Sequence, residues 1–110
     1  MPDTAAVILS LSANDLHEFD YQKGDTEGFV NYGLSMEGVE LSIFVYQKGD
    51  LLKMSFRSKT DFDVNQFARE HFDGGGHLNA AGGVSRQSLN KTISKLKTVL
   101  KDYADELPKA

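Results

Sequence analysis

The chain has 110 residues, a formal net charge of −4, 40% apolar residues and seven phenylalanines, the size and composition of one compact domain with a real core. It has no cysteine, which excludes disulfides and thiolate metal sites and agrees with a reducing, cytoplasmic setting. No apolar run approaches the roughly 20 residues of a membrane helix, Met1–Leu11 lacks the basic flank of a signal peptide, and the mildly acidic balance argues against a general DNA-coating protein.

From the N-terminus, Ala5 to Leu11 is a short apolar run with Val7, Ile8 and Leu9, which predicts a buried strand. Ser12 followed by Asp15 predicts a helix start, with Leu16 and Phe19 on its inner side; Asp20 to Gly24 is a loop. Asp25 opens a second predicted helix through Phe29, Val30 and Leu34 to an end at Gly38. Gly28 and Gly33 weigh against it, each by about 1 kcal/mol relative to alanine.

Val39, Leu41, Ile43 and Val45 alternate, as do Leu52, Met54 and Phe56, and the turn sequence Gln47-Lys48-Gly49-Asp50 lies between them. Together they predict a β-hairpin. Asp63 with Gln66 resembles a capping box for a short helix carrying Val64, Phe67, Ala68 and Phe72. A glycine-rich loop follows, and a short strand is expected near Gly83. Ser85 opens the longest predicted helix, on which Leu89, Ile93, Leu96, Leu100, Tyr103 and Leu107 recur at three- and four-residue steps. The fold class is α+β (α/β-like): a small mixed sheet with a central antiparallel hairpin, packed by helices and closed by a long C-terminal amphipathic helix. Residues 1–110 form a single domain, with no repeat or internal linker.

Charge is unevenly spread. Residues 1–50 carry nine acids against Lys23 and Lys48, whereas Arg86, Lys91, Lys95, Lys97, Lys101 and Lys109 outnumber Asp102, Asp105 and Glu106 near the C-terminus. Such asymmetry can steer an anionic ligand to one face, and the lysines also simply solvate a helix.

The most informative stretch is Gly74-Gly75-Gly76-His77-Leu78-Asn79-Ala80-Ala81-Gly82-Gly83. Glycine lets a ligand approach the backbone closely, and successive amides in a tight turn can form an anion-binding concavity. His77 can donate to a phosphate or stack on a base, and Asn79 can read a base edge or bind the loop backbone. Gly74 also suits a helix C-cap, with the other glycines as plain loop. His77 has no second histidine or cysteine nearby and Asp73 alone is insufficient, so no metal site is assigned. Arg57 is expected on the strand face opposite Met54 and Phe56; its planar fork suits phosphate oxygens, and Ser58 can add a donor. The competing reading pairs Arg57 with Asp61 or Asp63. Phe44, Tyr46 and Phe62 offer rings for base stacking or for the core. His17 and His71 carry no functional case.

Three stretches in order, Asp25-Thr26-Glu27-Gly28-Phe29-Val30-Asn31, then Ser55-Phe56-Arg57-Ser58, then Gly74 through Gly82 with its GGGH-x-x-A-A-G pattern, make the chain resemble the DHH-associated domain. That is the C-terminal substrate-binding domain of the DHH phosphoesterases. The resemblance runs from about Ala5 into the C-terminal helix, and its nearest branch looks like bacterial oligoribonuclease/pAp phosphatase or exopolyphosphatase-related proteins. It implies that Arg57, Ser58, Gly74, Gly75, Gly76, His77 and Asn79 bind substrate, and that Asp25 to Glu27 support domain closure. It also implies a separate N-terminal Asp-His-His domain holding two divalent ions, Mn²⁺. No Asp-His-His occurs here, and His17, His71 and His77 are scattered.

The resemblance therefore implies the nucleotide- or phosphate-binding half of a metal-dependent phosphoesterase. Its substrates would be short oligoribonucleotides, adenosine 3′,5′-bisphosphate, dinucleotides or polyphosphate. The chain alone is expected to be inactive, with no catalytic residue of its own. The expected partners are a phosphate-bearing small molecule or short RNA and the N-terminal domain; a homodimer is compatible with this reading, and a membrane partner is not expected. The alternative is a stand-alone, non-catalytic RNA- or nucleotide-binding module, since a related domain closes alanyl-tRNA synthetase chains.

Overall fold

The computed structural model describes residues 6–11, 25–35, 38–59 and 62–103. It contains strand β1 (Ala6–Leu11), helix α1 (Asp25–Ser35), strands β2 (Leu41–Lys48) and β3 (Leu51–Ser58), helix α2 (Val64–His71), strands β4 (Gly75–His77) and β5 (Ala80–Ser85), and helix α3 (Leu89–Asp102). The expected helix after Ser12, the loop from Asp20 to Gly24, Asp61, and the end of the C-terminal stripe at Leu107 lie outside the described residues.

The five strands form one sheet in the order β1-β2-β3-β5-β4. β1 runs parallel to β2, and the other three pairings are antiparallel, so the predicted mixed sheet with a central hairpin is the observed one. The β2–β3 hairpin is tighter than expected. Lys48 pairs with Leu51, which leaves Gly49 and Asp50 as a two-residue turn with Gly49 at φ +61°. Positive φ at the first turn position favours glycine and matches the twist of the flanking strands.

One face of the sheet packs on α2 and α3. Leu41, Ile43, Val45, Leu52, Met54 and Phe56 meet Phe62, Val64, Phe67, Leu96 and Leu100 in a continuous buried cluster. Phe67 lies at its centre, with the rings of Phe56, Phe62, Phe72 and Tyr103 all within 5.3–5.7 Å. The opposite face takes α1, and that explains its glycine. A Cβ on Gly33 would lie 2.5 Å from Ser42 Oγ and 3.1 Å from Val7 and Leu9, so the residue that weakens the helix in isolation is the one that lets it approach the sheet. β2 is accordingly buried on both faces from Leu41 to Val45, whereas β3 is buried only at alternate residues. Sheet covered by helices on both sides loses its alternation; the half-exposed face of β3 is where helix cover runs out.

Two helix starts refine the sequence reading. Asp63 caps α2 as expected, its Oδ1 accepting from the Gln66 amide at 3.0 Å. The Gln66 side chain, however, reaches forward to Glu70 rather than back to the cap. α3 is capped by Ser88, whose Oγ accepts from the Lys91 amide, and not by Ser85. Ser85 still belongs to β5, paired with Leu52, and its hydroxyl is hydrogen-bonded to that of the buried Thr92 at 2.7 Å.

Candidate functional site

The glycine run is not the loop that its composition predicts. After α2, Asp73 takes φ +50°, turning the chain back on itself, and Gly75–His77 then forms a strand paired with β5. Close packing dictates the glycines at two positions. A Cβ on Gly74 would lie 1.8 Å from the Gly82 carbonyl oxygen, and one on Gly76 would lie 2.6 Å from the Ala80 carbonyl oxygen. Both atoms are backbone and cannot yield without parting the two strands.

Two amides of the run are also committed. The Gly74 amide donates to the Ala68 carbonyl at 3.1 Å, and the Gly76 amide donates to Asn65 Oδ1 at 2.8 Å. With the first and third amides bonded within the protein, the three glycines do not offer a run of free, successive amides. Asn65 on α2 holds the strand instead, and its Oδ1 also accepts from Arg69 Nε. Sequence reasoning missed Asn65; its only signal was a polar residue in the first turn of an amphipathic helix.

The hairpin tip is fixed just as firmly. The Leu78 carbonyl accepts from the Val64 amide at 2.9 Å and the Asn79 carbonyl from the Ser58 amide at 3.1 Å. The Asn79 side chain donates to Ser58 Oγ at 2.8 Å, and that hydroxyl donates to the Phe62 carbonyl at 2.9 Å. Ser58 is 5% exposed. The two residues that sequence reasoning placed as ligand donors thus bind each other, and they lock the end of β3 to the glycine hairpin.

Register brings other predicted residues together. Arg57 pairs with Ala80, and Ala80 pairs with His77, so Arg57 and His77 flank alanine in one row across three strands, with strand axes about 9.5 Å apart. The next row is Ser55, Gly82 and Gly75, and beyond it Lys53 pairs with Val84 and Tyr46. A cleft of about 320 Å³ lies over these rows, lined by Tyr46, Lys53, Ser55, Asp73 and the glycines at 74, 75 and 82. Its floor is backbone, because glycine supplies no side chain there. Arg57 stands in the adjoining row, half-buried, with Nη1 donating to the Phe56 carbonyl at 3.0 Å. Lys53 and Ser55 are half-exposed and His77 is exposed. Two of the three rings proposed for stacking are in the interior instead: Phe44 and Phe62 are 1% and 4% exposed. Only Tyr46 borders the cleft.

A smaller hollow of about 190 Å³ adjoins it, lined by Asp73, Val84, Arg86 and Lys95 among others. Lys95 has a structural task, donating to the His71 carbonyl at 2.6 Å with its ammonium 4.7 Å from the centre of the Phe72 ring. The helix ends at His71 and Tyr103 are also tied: His71 Nε2 and Tyr103 Oη lie 2.9 Å apart, and Tyr103 donates to Glu70. Hydrogen bonds from Gln66 and then Tyr103, with His71 adding a smaller electrostatic contribution, hold the Glu70 carboxyl below its ordinary range against weak desolvation.

Among the described residues no three His, Cys, Asp or Glu side chains are grouped so as to hold a metal ion. No helix among the described residues is long and apolar enough to cross a membrane.

The family model of the DHHA1 domain matches residues 3–106. No curated protein matches the chain. Among solved structures, an exopolyphosphatase-related protein from Bacteroides fragilis is 38% identical with a TM-score of 0.87, over 92% of this chain and 30% of that one. A pGpG-specific phosphodiesterase from Vibrio cholerae is 13% identical with a TM-score of 0.59, over 94% of this chain and 34% of that one. The C-Ala domain of alanyl-tRNA synthetase from Aquifex aeolicus is 12% identical with a TM-score of 0.57, over 86% of this chain and 84% of that domain. The last two likenesses show the fold alone. The chain spans about a third or less of the length of the two bacterial phosphoesterase-like proteins.

Proposed function

Because the chain belongs to the DHHA1 domain family, the substrate-binding associate of the DHH phosphoesterases, we propose that its cleft holds the phosphate of a nucleotide or short oligoribonucleotide for hydrolysis by an Asp-His-His domain. The observation that carries this reading is the row Arg57–Ala80–His77 beside a backbone floor of Gly82 and Gly75. A guanidinium can grip phosphate oxygens through two parallel hydrogen bonds, the imidazole can donate one more, and the missing side chains let the ligand sit against the sheet. Ser58 and Asn79 act indirectly in this reading, by holding the row in place. The glycines act by shape.

The hydrolytic chemistry belongs to the partner domain in this proposal. Two divalent ions there would activate water and stabilise the oxygens of an in-line displacement, while the present residues position the ligand and neutralise its charge. The B. fragilis protein, called exopolyphosphatase-related, keeps polyphosphate among the candidate ligands. The alternative reading is a stand-alone RNA- or nucleotide-binding module without catalysis.

The test is titration of the isotope-labelled chain with adenosine 3′,5′-bisphosphate. Amide shifts should centre on Ser55, His77, Ala80 and Gly82, and Arg57→Ala should weaken binding by about tenfold or more, as loss of a charge-assisted hydrogen bond does. Shifts confined to α3, or unchanged affinity in Arg57→Ala at matched salt, would overturn the assignment.

A further inference from the structure

We propose that Tyr103 is a positioning residue for the cleft: it clasps the last turn of α2 through His71 and Glu70, and α2 passes that constraint to the glycine hairpin that floors the site. The inference rests on the phosphate reading of the cleft and extends its machinery to the C-cap of α3, outside the cleft lining.

α2 has eight residues, little more than two turns, and a helix that short is not held in place by its own hydrogen bonds. Its neighbours fix it. Toward the hairpin, the Val64 amide donates to the Leu78 carbonyl at 2.9 Å, Asn65 Oδ1 accepts from the Gly76 amide at 2.8 Å, and the Ala68 carbonyl accepts from the Gly74 amide at 3.1 Å. Just past the helix, the Phe72 carbonyl accepts from the Val84 amide of β5 at 2.9 Å. Toward α3, the polar attachments fall on the last turn. Tyr103 Oη lies 2.9 Å from His71 Nε2 and 3.2 Å from Glu70 Oε2, and Lys95 Nζ donates to the His71 carbonyl. A displacement of that turn is therefore carried to Gly74 and Gly76 by the bonds on the other side of the same short helix.

The phenol is held for this task. Its ring stands edge-on to Phe62 and Phe67, with centroids 5.4 and 5.3 Å away, which fixes where the hydroxyl points. A phenol has one proton to donate. Tyr103 donates it to Glu70, so its oxygen accepts from His71, which places the imidazole proton on Nε2 and leaves Nδ1 as the acceptor. One hydroxyl thus joins two side chains of α2 to the end of α3. The His71 and Glu70 side chains are 27% and 48% exposed, so water competes for both bonds and the effect on the cleft is modest.

The experiment uses the 110-residue chain. Tyr103→Phe keeps the packed ring and removes only the hydroxyl. Nitrogen-15 spectra at mildly alkaline pH, where imidazole is neutral, should show the Nε2–H tautomer of His71 in the wild type and loss of that preference in Tyr103→Phe. The amides of Gly74 and Gly76 should shift in the same variant. Its affinity for adenosine 3′,5′-bisphosphate should fall by about two- to tenfold, the scale on which substitutions outside a site alter coupling to it. Lys101→Gln, an exposed change in the last turn of α3, should do none of this. In an Asn65→Ala background, Tyr103→Phe should cost less affinity than in the wild type, because part of the connection is already cut. Thermal melting confirms that each variant is folded. An Nδ1–H tautomer in the wild type, glycine amides unmoved by Tyr103→Phe, or strictly additive effects of the two substitutions would overturn the positioning role and leave the phosphate row standing. No binding by the wild type would overturn the phosphate reading instead, and the tautomer and the glycine amides would still decide whether the clasp reaches the hairpin.

Discussion

Ser42 is fully buried, and its hydroxyl has no hydrogen-bond partner among the described residues. The contact with Gly33 gives the reason for a small residue there but not for a polar one. Ser42→Ala is therefore expected to leave stability unchanged or raise it by up to about 1 kcal/mol, since it removes an unsatisfied buried group. Gly33→Ala should lower stability by about 1–3 kcal/mol through overpacking, despite the better helix propensity of alanine. Combining the two should recover part of that loss, because the nearest clash is with the deleted hydroxyl. Denaturant midpoints for the four proteins give the coupling; strictly additive effects would show that the α1–sheet approach is not set by this pair. Glu70 gives a pH test at the same scale. Its folded-state pKa is depressed, so its contribution is present above the ordinary glutamate range and is lost as pH falls through the folded value. Glu70→Gln should flatten the acid limb of the stability profile, and an unchanged limb would argue against the Gln66–Glu70–Tyr103 clasp.

At the scale of elements, alternation and amphipathic spacing made the β2–β3 hairpin, α2 and most of α3 legible, because burial on one face imposes a period on the side chains, and β1 showed as a short apolar run. β4 was illegible for the converse reason: a strand of glycines has no side chains with which to show a period. Its existence depends on α2, through Asn65 and the Ala68 carbonyl, partners 11 and 6 residues away in sequence. The misplaced start of α3 has a related cause. Ser85 and Ser88 are both competent caps, and the sheet claims the first through its pairing with Leu52. Gly74→Ala tests the element directly. Its methyl group would collide with the β5 backbone, so β4 should detach and phosphate-ligand binding should be lost, while the β2–β3 hairpin keeps its amide-exchange protection. Asn65→Ala should act in the same direction more mildly, costing about 0.5–1.5 kcal/mol for the lost hydrogen bond, because Gly76 is exposed and water can reach its amide. If Gly74→Ala bound ligand like wild type, the packed glycine hairpin would not be what shapes the cleft.

Across the whole molecule, the candidate site is a product of strand order. Arg57, Ala80 and His77 are neighbours only because β5 inserts between β3 and β4, and Tyr46, Lys53 and Val84 align by the same registers. The motif named candidate residues; it could not reveal that Ser58 and Asn79 bind each other, or that the Gly74 and Gly76 amides are bonded within the protein, because those facts depend on distances between segments. The same architecture limits what the chain can do by itself. Its cations and glycine floor suit binding, whereas metal-assisted hydrolysis needs carboxylates and histidines converging on one or two ions, and the described residues contain no such group. We therefore expect the purified chain to release no mononucleotide or phosphate from the linear dinucleotide pApA or adenosine 3′,5′-bisphosphate in Mn²⁺. Turnover should appear when an Asp-His-His domain is supplied, and Arg57→Ala should then lower kcat/KM by about tenfold or more, as loss of a charge-assisted contact in the transition state does. Turnover by the chain alone, abolished by a chelator and by His77→Ala, would instead place the reacting centre in this domain and reverse the division of labour proposed for it.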